Sequence, residues 1–487
     1  MRVGPRWGGC GQEAGRTVSG VPPEGPITRR AIVLVDGEHY PPVIRDALVD
    51  LAANGTVPVA ALVLGGSEKV AAYGAEIDLG VPSTWAPRGE EPGLDVTAAA
   101  AALAQLIAEH RPDLIVDRSD EPVLDHRRRF QLAAHVLRLG LHYEGADFRL
   151  DPPPRPRIAT RPTVAVIGTG KRTGKTAVAG ELTRVLMQAG RRAVVVAMGR
   201  GGPPEPILVP EGTVLDAETL LAIADAGGHA SSDFYEDAVT TGAATVGARR
   251  CGGGIAGAVG YSNVGQAVEM ANHVAADVTI LEGSGAAIPP AHADASLLVV
   301  PADCDPEFVR GYLGPYRVLL ADLVVVTMCE SPRASAEQVE AVVGAIRNIS
   351  PGSPVLRTVL RPVPLGMVSG SRVFYATTAP ASVSSALAAY LEARFGCEVV
   401  ATSHRLADRP GLRADLETAP AFDVLLVELK AAAVDVAART AAAVGARMVV
   451  CDNRPVAVGV EEDAEAAFAR AGMRLADLAV DRFTGRY

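Results

Sequence analysis

The residues best suited to chemistry are Gly168-Thr169-Gly170-Lys171-Arg172-Thr173-Gly174-Lys175-Thr176. An apolar run at 164–167 precedes them, and the helix-forming run AVAGEL follows. Glycines let successive backbone N–H groups turn inward around an anion. A helix starting at Lys175 adds its positive end at the same point. Strand, glycine loop, Gly-Lys-Thr and helix together predict a P-loop for a nucleoside triphosphate. Its candidate ATP-binding residues are Gly170, Lys171, Arg172, Thr173, Gly174, Lys175, Thr176 and Ala177. Lys175 is expected to reach the β- and γ-phosphates, and the Thr176 hydroxyl to ligate Mg2+. The usual spacing would put the first glycine at position 169, which is Thr169; Gly168 stands one residue early, so the loop is a longer variant.

The acid that completes such a site belongs at the carboxyl end of a neighbouring strand. Glu282 occupies that position in DVTILEGSG, where a plain glycine turn is the competing reading. Asp277 and Asp322 precede their strands and belong at the far edge. Arg200 ends another strand in MGRGG, and Arg249 and Arg250 lie before three glycines. Guanidinium groups donate paired bonds to phosphate oxygens, so these arginines are candidate substrate ligands, against the alternative of solvated surface charge. Asp233, Glu236 and Asp237 fall close together in SSDFYEDA, and Cys251 has no obvious histidine partner for nucleophilic work. Upstream, Glu38 and His39 follow the first strand in DGEHYPP, and Arg149 stands near the end of the first block. These three are candidates for closing the site. Arg127, Arg128 and Arg129 point in different directions around a helix and cannot all face one ligand.

These residues need strands to carry them, and the chain alternates β-branched runs with alanine-rich helical stretches almost throughout. That pattern predicts an α/β protein of three-layer, parallel-sheet domains, with a central P-loop domain flanked by N- and C-terminal α/β domains. The expected boundaries are 30–155, 156–366 and 367–487, with DPPPRPR (151–157) as the first linker. Residues 1–29, rich in Gly, Pro and Arg, read as a disordered extension or the product of an upstream start codon.

The formal net charge of −10 and an aromatic content of 4% argue against a general nucleic-acid binder. Six cysteines show no metal-ligand spacing and read as reduced thiols, consistent with a cytoplasmic protein. No apolar run approaches the roughly 18 residues of a membrane span.

The segments DGEHYPPV, LGGSEK, GTGKRTGKTAVAGEL, GRGGPPEP, SDFYEDA, RRCGGGIAGAVGYSN, LEGSGAAIPP and LRP together resemble the cyclic 2,3-diphosphoglycerate synthetases. The phosphate loop and LEGSG are also similar to dethiobiotin synthetase, which speaks to the fold of the ATP domain and not to its substrate. The first resemblance implies ATP-driven joining of the two phosphates of 2,3-diphosphoglycerate as an intramolecular anhydride, in a homodimer using Mg2+, with K+ as an accessory ion. It makes Lys171, Lys175, Arg200, Arg249 and Arg250 the candidate catalytic residues. Thr176 and Glu282 become the candidate metal ligands, and Glu38, His39 and Arg149 join the arginines around the substrate. The competing expectations are a 2-phosphoglycerate kinase, a dethiobiotin-synthetase-like ligase and a partitioning-type ATPase. The last would place its extra loop lysine before a Gly-Gly pair, whereas Lys171 precedes Arg172 and Thr173.

Overall fold

The computed structural model describes residues 28–66, 69, 78–87, 94–430, 433–460 and 463–485. The expected N-terminal extension up to residue 27, and Ser67 and Glu68 of LGGSEK, lie outside them.

The first unit is a six-stranded sheet of β1 (Arg29–Val35), β2 (Thr56–Val63), β3 (Ser83–Trp85), β4 (Leu114–Asp117), β5 (His142–Glu144) and β6 (Arg149–Leu150). Its order is β3-β2-β1-β4-β5-β6, parallel except for β6. Sequence order reverses between β1 and β4, the place where α/β sheets open a crevice at their carboxyl ends. Helices between the strands start on side-chain caps. Asp95 accepts from the backbone of Thr97 and Ala98, and Asp125 from that of Arg128, satisfying amides that a helix start leaves unpaired.

The second unit contains β7 (Thr163–Gly168), β8 (Ala193–Gly199), β9 (Ile207–Val209), β10 (Ala244–Cys251), β11 (Tyr261–Ser262), β12 (Val278–Glu282), β13 (Ala295–Pro301) and β14 (Leu323–Thr327). Six of these form a parallel core in the order β10-β8-β12-β7-β13-β14. Runs such as AVVVAMG are buried along their whole length because both faces of the sheet are covered. One face packs on the helix Lys175–Gln188 and on the last helix of the chain, Ala464–Phe483. The other packs on the helix Val264–Asn272 and merges with the core of the first unit.

The third unit adds β15 (Val355–Pro364), β16 (Arg372–Ala376), β17 (Glu398–Ser403), β18 (Val424–Glu428) and β19 (Arg447–Ala457). It continues the same sheet. The first residues of β15 pair in parallel with β14, through Val355–Arg357, and the remaining residues pair antiparallel with β19. The strand β15 therefore runs past the carboxyl edge of the central sheet and carries the third unit beyond it. Since β16, β17 and β18 run parallel to β19, their carboxyl ends turn back toward that edge. Within this one sheet, the carboxyl edges of the central and third units thus point toward each other.

The first unit is docked with its edge on the same side. At the start of helix His126–Arg138, Phe130 meets Tyr312 with ring centroids 5.6 Å apart. At its end, Arg138 donates to the carbonyl of Leu319 at 2.9 Å. This helix thus lies along Gly314–Leu320 in the same direction, as each chain returns from a carboxyl to an amino edge.

Candidate active site

The phosphate loop leaves β7 at Gly168 and enters the helix at Lys175, with Gly174 in a left-handed conformation at φ 90°. Lys175 is 7% exposed and folds back over the loop. Its Nζ donates to the Gly170 carbonyl at 2.7 Å and to Thr173 Oγ1 at 3.3 Å. A Cβ at Gly168 would stand 2.8 Å from the Lys175 chain, so the early glycine makes room for the lysine. Thr327, at the end of β14, donates to the Thr173 carbonyl at 2.7 Å and anchors the loop from below. Arg172 sits at φ 61°, a backbone conformation that costs a non-glycine residue about 1 kcal/mol. Lys171 and Arg172 are exposed. Burial holds the Lys175 pKa down to about 8, against the opposing pull of Glu282 and Asp233.

Glu282 ends β12 level with Val166 and Ala197 of its two neighbours. Strand alternation gives it the side of Val278 and Ile280, which is the side of the phosphate helix. Its carboxylate lies against the Thr176 hydroxyl and beside Asp237 of the helix Asp233–Thr241. Glu282 is 3% exposed and Asp237 1%. Neither oxygen of Asp237 has a hydrogen-bond donor, nor does Glu282 Oε2. Burial, and then the charges of Asp233 for Glu282 and of Glu282 for Asp237, push both carboxyls up. Two buried carboxylates with three oxygens lacking donors, next to a hydroxyl at the first turn of a phosphate-binding helix, fit a divalent cation. Among the described residues no group of three or more acidic, His or Cys side chains forms a metal cage.

Arg200 and Arg250 meet on the other side of the strand ends. The side chain of Arg250 points the way of Val246 and Ala248, toward the face that the first unit covers. It donates to the Ser284 carbonyl at 2.7 Å and the Gly252 carbonyl at 2.8 Å. A Cβ at Gly285, where φ is 61°, would stand 2.8 Å from a terminal nitrogen of Arg200 and 3.1 Å from one of Arg250. A side chain at this position would push both guanidinium tips aside. Burial and then the neighbouring Arg200 charge lower the Arg250 pKa, against the opposing pull of Cys251 and Asp233. Buried Arg317 fixes the two loops that frame them, donating to the carbonyls of Ala286 at 2.8 Å and Ile255 at 3.3 Å.

The structure divides the paired arginines. Arg249 takes the opposite side of β10 from Arg250, with its guanidinium 5.8 Å from the Tyr261 ring centre. Its backbone N–H donates to Asn263 Oδ1 at 2.7 Å. In the first unit, Glu38 and His39 occupy a turn held by Asp36, and His39 Nδ1 lies 2.7 Å from Asp36 Oδ1. Arg149 is not brought to this group: it pairs with Asp151 at 2.7 Å and lies near Glu144 at 3.7 Å, in an exposed cluster with His142. Asp277 and Asp322 lie before their strands, paired with Arg192 and Arg482.

Comparison with known proteins identifies the three units. Profiles described as the N-terminal, P-loop and C-terminal domains of cyclic 2,3-diphosphoglycerate synthetase match residues 30–151, 163–359 and 364–454. The chain belongs to the cyclic 2,3-diphosphoglycerate synthetase family. It is 46% identical to the synthetase of Rubrobacter xylanophilus over 89% of this chain and 95% of that one. Identity is 43% to the Methanothermus fervidus synthetase, over 88% of this chain and 94% of that one. To the Thermococcus kodakarensis synthetase it is 42%, over 87% and 94%.

Within this family member, sequence reasoning missed several residues. Lys430 follows β18 and places its Nζ 3.2 Å from Glu236 Oε1. Arg317 and Thr327 hold the loops. Asp117 gathers Arg129 at 2.8 Å and Tyr143 at 2.7 Å. The signal for Lys430 and Asp117 was the strand-end position already applied to Glu282: both stand at or just past the end of an apolar run.

Proposed function

We propose that this protein uses ATP to close 2,3-diphosphoglycerate into its cyclic form, making an intramolecular phosphoanhydride and releasing ADP and phosphate. The observation that carries the reading is the convergence of Arg200 and Arg250 over Gly285, beside a phosphate loop whose Lys175 feels the Arg200 charge. Two phosphates on adjacent carbons repel each other, and a pair of guanidinium groups neutralises them and holds them in attack geometry. The γ-phosphoryl group passes from ATP to one substrate phosphate, and ADP leaves. The second substrate phosphate then attacks the phosphorus of the first, and the transferred group departs as inorganic phosphate. Lys175, with Lys171 at the loop tip, stabilises charge on the transferred group.

Thr176 and Glu282 would hold Mg2+, with Asp237 beside them; bound there, the ion would neutralise charge developing on the phosphates. Arg249 serves the substrate from the other side of β10. Glu38 and His39 close the site from the first unit, supported by the shared side of the two carboxyl edges. A cytoplasmic homodimer follows from the family resemblance, and sedimentation of the full chain tests the assembly. Among the described residues, no helix is long and apolar enough to cross a membrane.

The test is phosphorus NMR of 2,3-diphosphoglycerate with protein, ATP and Mg2+. Conversion of two monoester signals to coupled anhydride signals, with one phosphate released per turnover, is expected. ATP consumption with the substrate left open would overturn the proposal and make 2-phosphoglycerate the next substrate to try.

A further inference from the structure

The third unit has an edge of its own at the active site. Its strand order β17-β16-β18-β19 reverses between β16 and β18, where an α/β sheet opens its crevice. Thr377 and Thr378 follow β16 there, and Glu428 ends β18. The buried Glu428 carboxylate accepts from both threonine hydroxyls, Thr378 at 2.7 Å, and from the Thr378 backbone N–H at 3.1 Å. Lys430 is pinned one step on, its N–H donating to the Glu428 carbonyl at 2.8 Å. Its side chain leaves this unit and crosses to Glu236 of the helix Asp233–Thr241. That helix also bears Asp237, beside Glu282, and Asp233, whose charge is felt by both Lys175 and Arg250. A second link joins the same two units: Arg184 of the phosphate helix meets Asp452 of β19 at 2.9 Å.

We propose that Lys430 is a positioning residue for phosphoryl transfer, acting through Glu236 to hold the helix Asp233–Thr241 against the phosphate loop. This rests on reading the site as a phosphoryl-transfer centre. The third unit thereby takes part in the reaction: it fixes the acids that face the reacting phosphates. The overshoot of β15 and its antiparallel pairing with β19 turn the third unit's carboxyl edge toward the ATP unit, where Lys430 meets the helix.

The test compares Lys430→Met, Lys430→Arg, Glu236→Gln and the Lys430→Met/Glu236→Gln double variant in the full chain. The Met variant is expected to lose about 10²-fold in kcat, the cost of a small misplacement, with KM for ATP and MgADP affinity by calorimetry changed by less than about threefold. Lys430→Arg recovers most of the loss. The double variant is no slower than the Met variant, because both changes break one interaction. A kcat for Lys430→Met near that of the parent overturns the proposal, as do losses that multiply in the double variant. If the Met variant melts early, Glu236→Gln carries the test, since it keeps side-chain size and Lys430; an undiminished kcat there is equally fatal. Absence of cyclic product with the parent protein would instead refute the proposed reaction, and ATP turnover would then replace kcat in the same comparison.

Discussion

At the carboxyl edge of the first sheet, Asp36 accepts from the backbone of Glu38, His39 and Asp120 and pairs with the His39 ring. Asp117 beside it accepts from Arg129, Tyr143 and Ser119. At the carboxyl edge of the central sheet, Asp237 and Glu282 are as deeply buried, yet three of their oxygens have no donor. The Nε atoms of Arg249 and Arg250 are unpartnered too. A strand end places Asp117 and Glu282 in the same way, and a helix brings Asp237 beside the latter, but only the first edge is finished by its own chain. Buried polar atoms without partners cost stability, and an unoccupied donor or acceptor is one a bound group could satisfy. The first edge is satisfied by its own chain; on the proposed function, the central edge is where nucleotide, cation and substrate bind.

This contrast can be broken by mutation. Lys175→Ala should cost about 10³-fold in turnover, measured as ADP release, because the charge that meets the transferred phosphoryl group is gone. Asp237→Asn should cost about 10²-fold in turnover and weaken Mg2+ binding to the free protein by calorimetry, while raising the melting temperature by about 2–4 °C. The amide removes a carboxyl that burial beside Glu282 makes costly to ionise. A lowered melting temperature would mean that the central edge is held as the first edge is.

Arg250→Ala should raise KM for 2,3-diphosphoglycerate by about 10-fold or more, with Arg249→Ala changing it less, as charge-assisted bonds are strong and only Arg250 stands with Arg200. Equal effects would show that Arg249, from its own side of β10, contributes as much as the pair over Gly285. The pH dependence is milder. Because Lys175 in the free protein has its pKa held down to about 8, raising pH through that value removes the ammonium that polyphosphate needs. ATP affinity should therefore fall about tenfold between pH 8 and 9.5, and Lys175→Arg should flatten the slope. The smallest expected effect is that of Asp36→Asn: a melting temperature lower by about 2–4 °C, with kcat unchanged and KM shifted only through the turn carrying Glu38 and His39.

Much of the site could be read before the fold was seen. The phosphate loop is a local device, so its strand, glycines, lysine and helix stand contiguous in the sequence. Glu282 was legible because an acid after an apolar strand lands at a carboxyl edge whatever the neighbours are. The division of Arg249 from Arg250 follows from strand alternation, but only once both are known to lie within β10 and not in the loop beyond it. The meeting of Arg200 with Arg250 required the register of β8 against β10, and Gly285 of a third loop.

Lys430 marks the limit. Nothing local tells whether the carboxyl edge of the third unit faces the ATP site or points away; that depends on β15 pairing antiparallel with β19, residues 358 and 457 of the chain. The sequence by itself determined the alternation of strands and helices, the anion-binding loop and the strand-end acids, because each is set by neighbours within a turn or a strand. Tertiary structure alone decided which edges face each other, which charges pair and which stay open, because those outcomes depend on contacts between residues far apart in the chain, where local propensity carries no information.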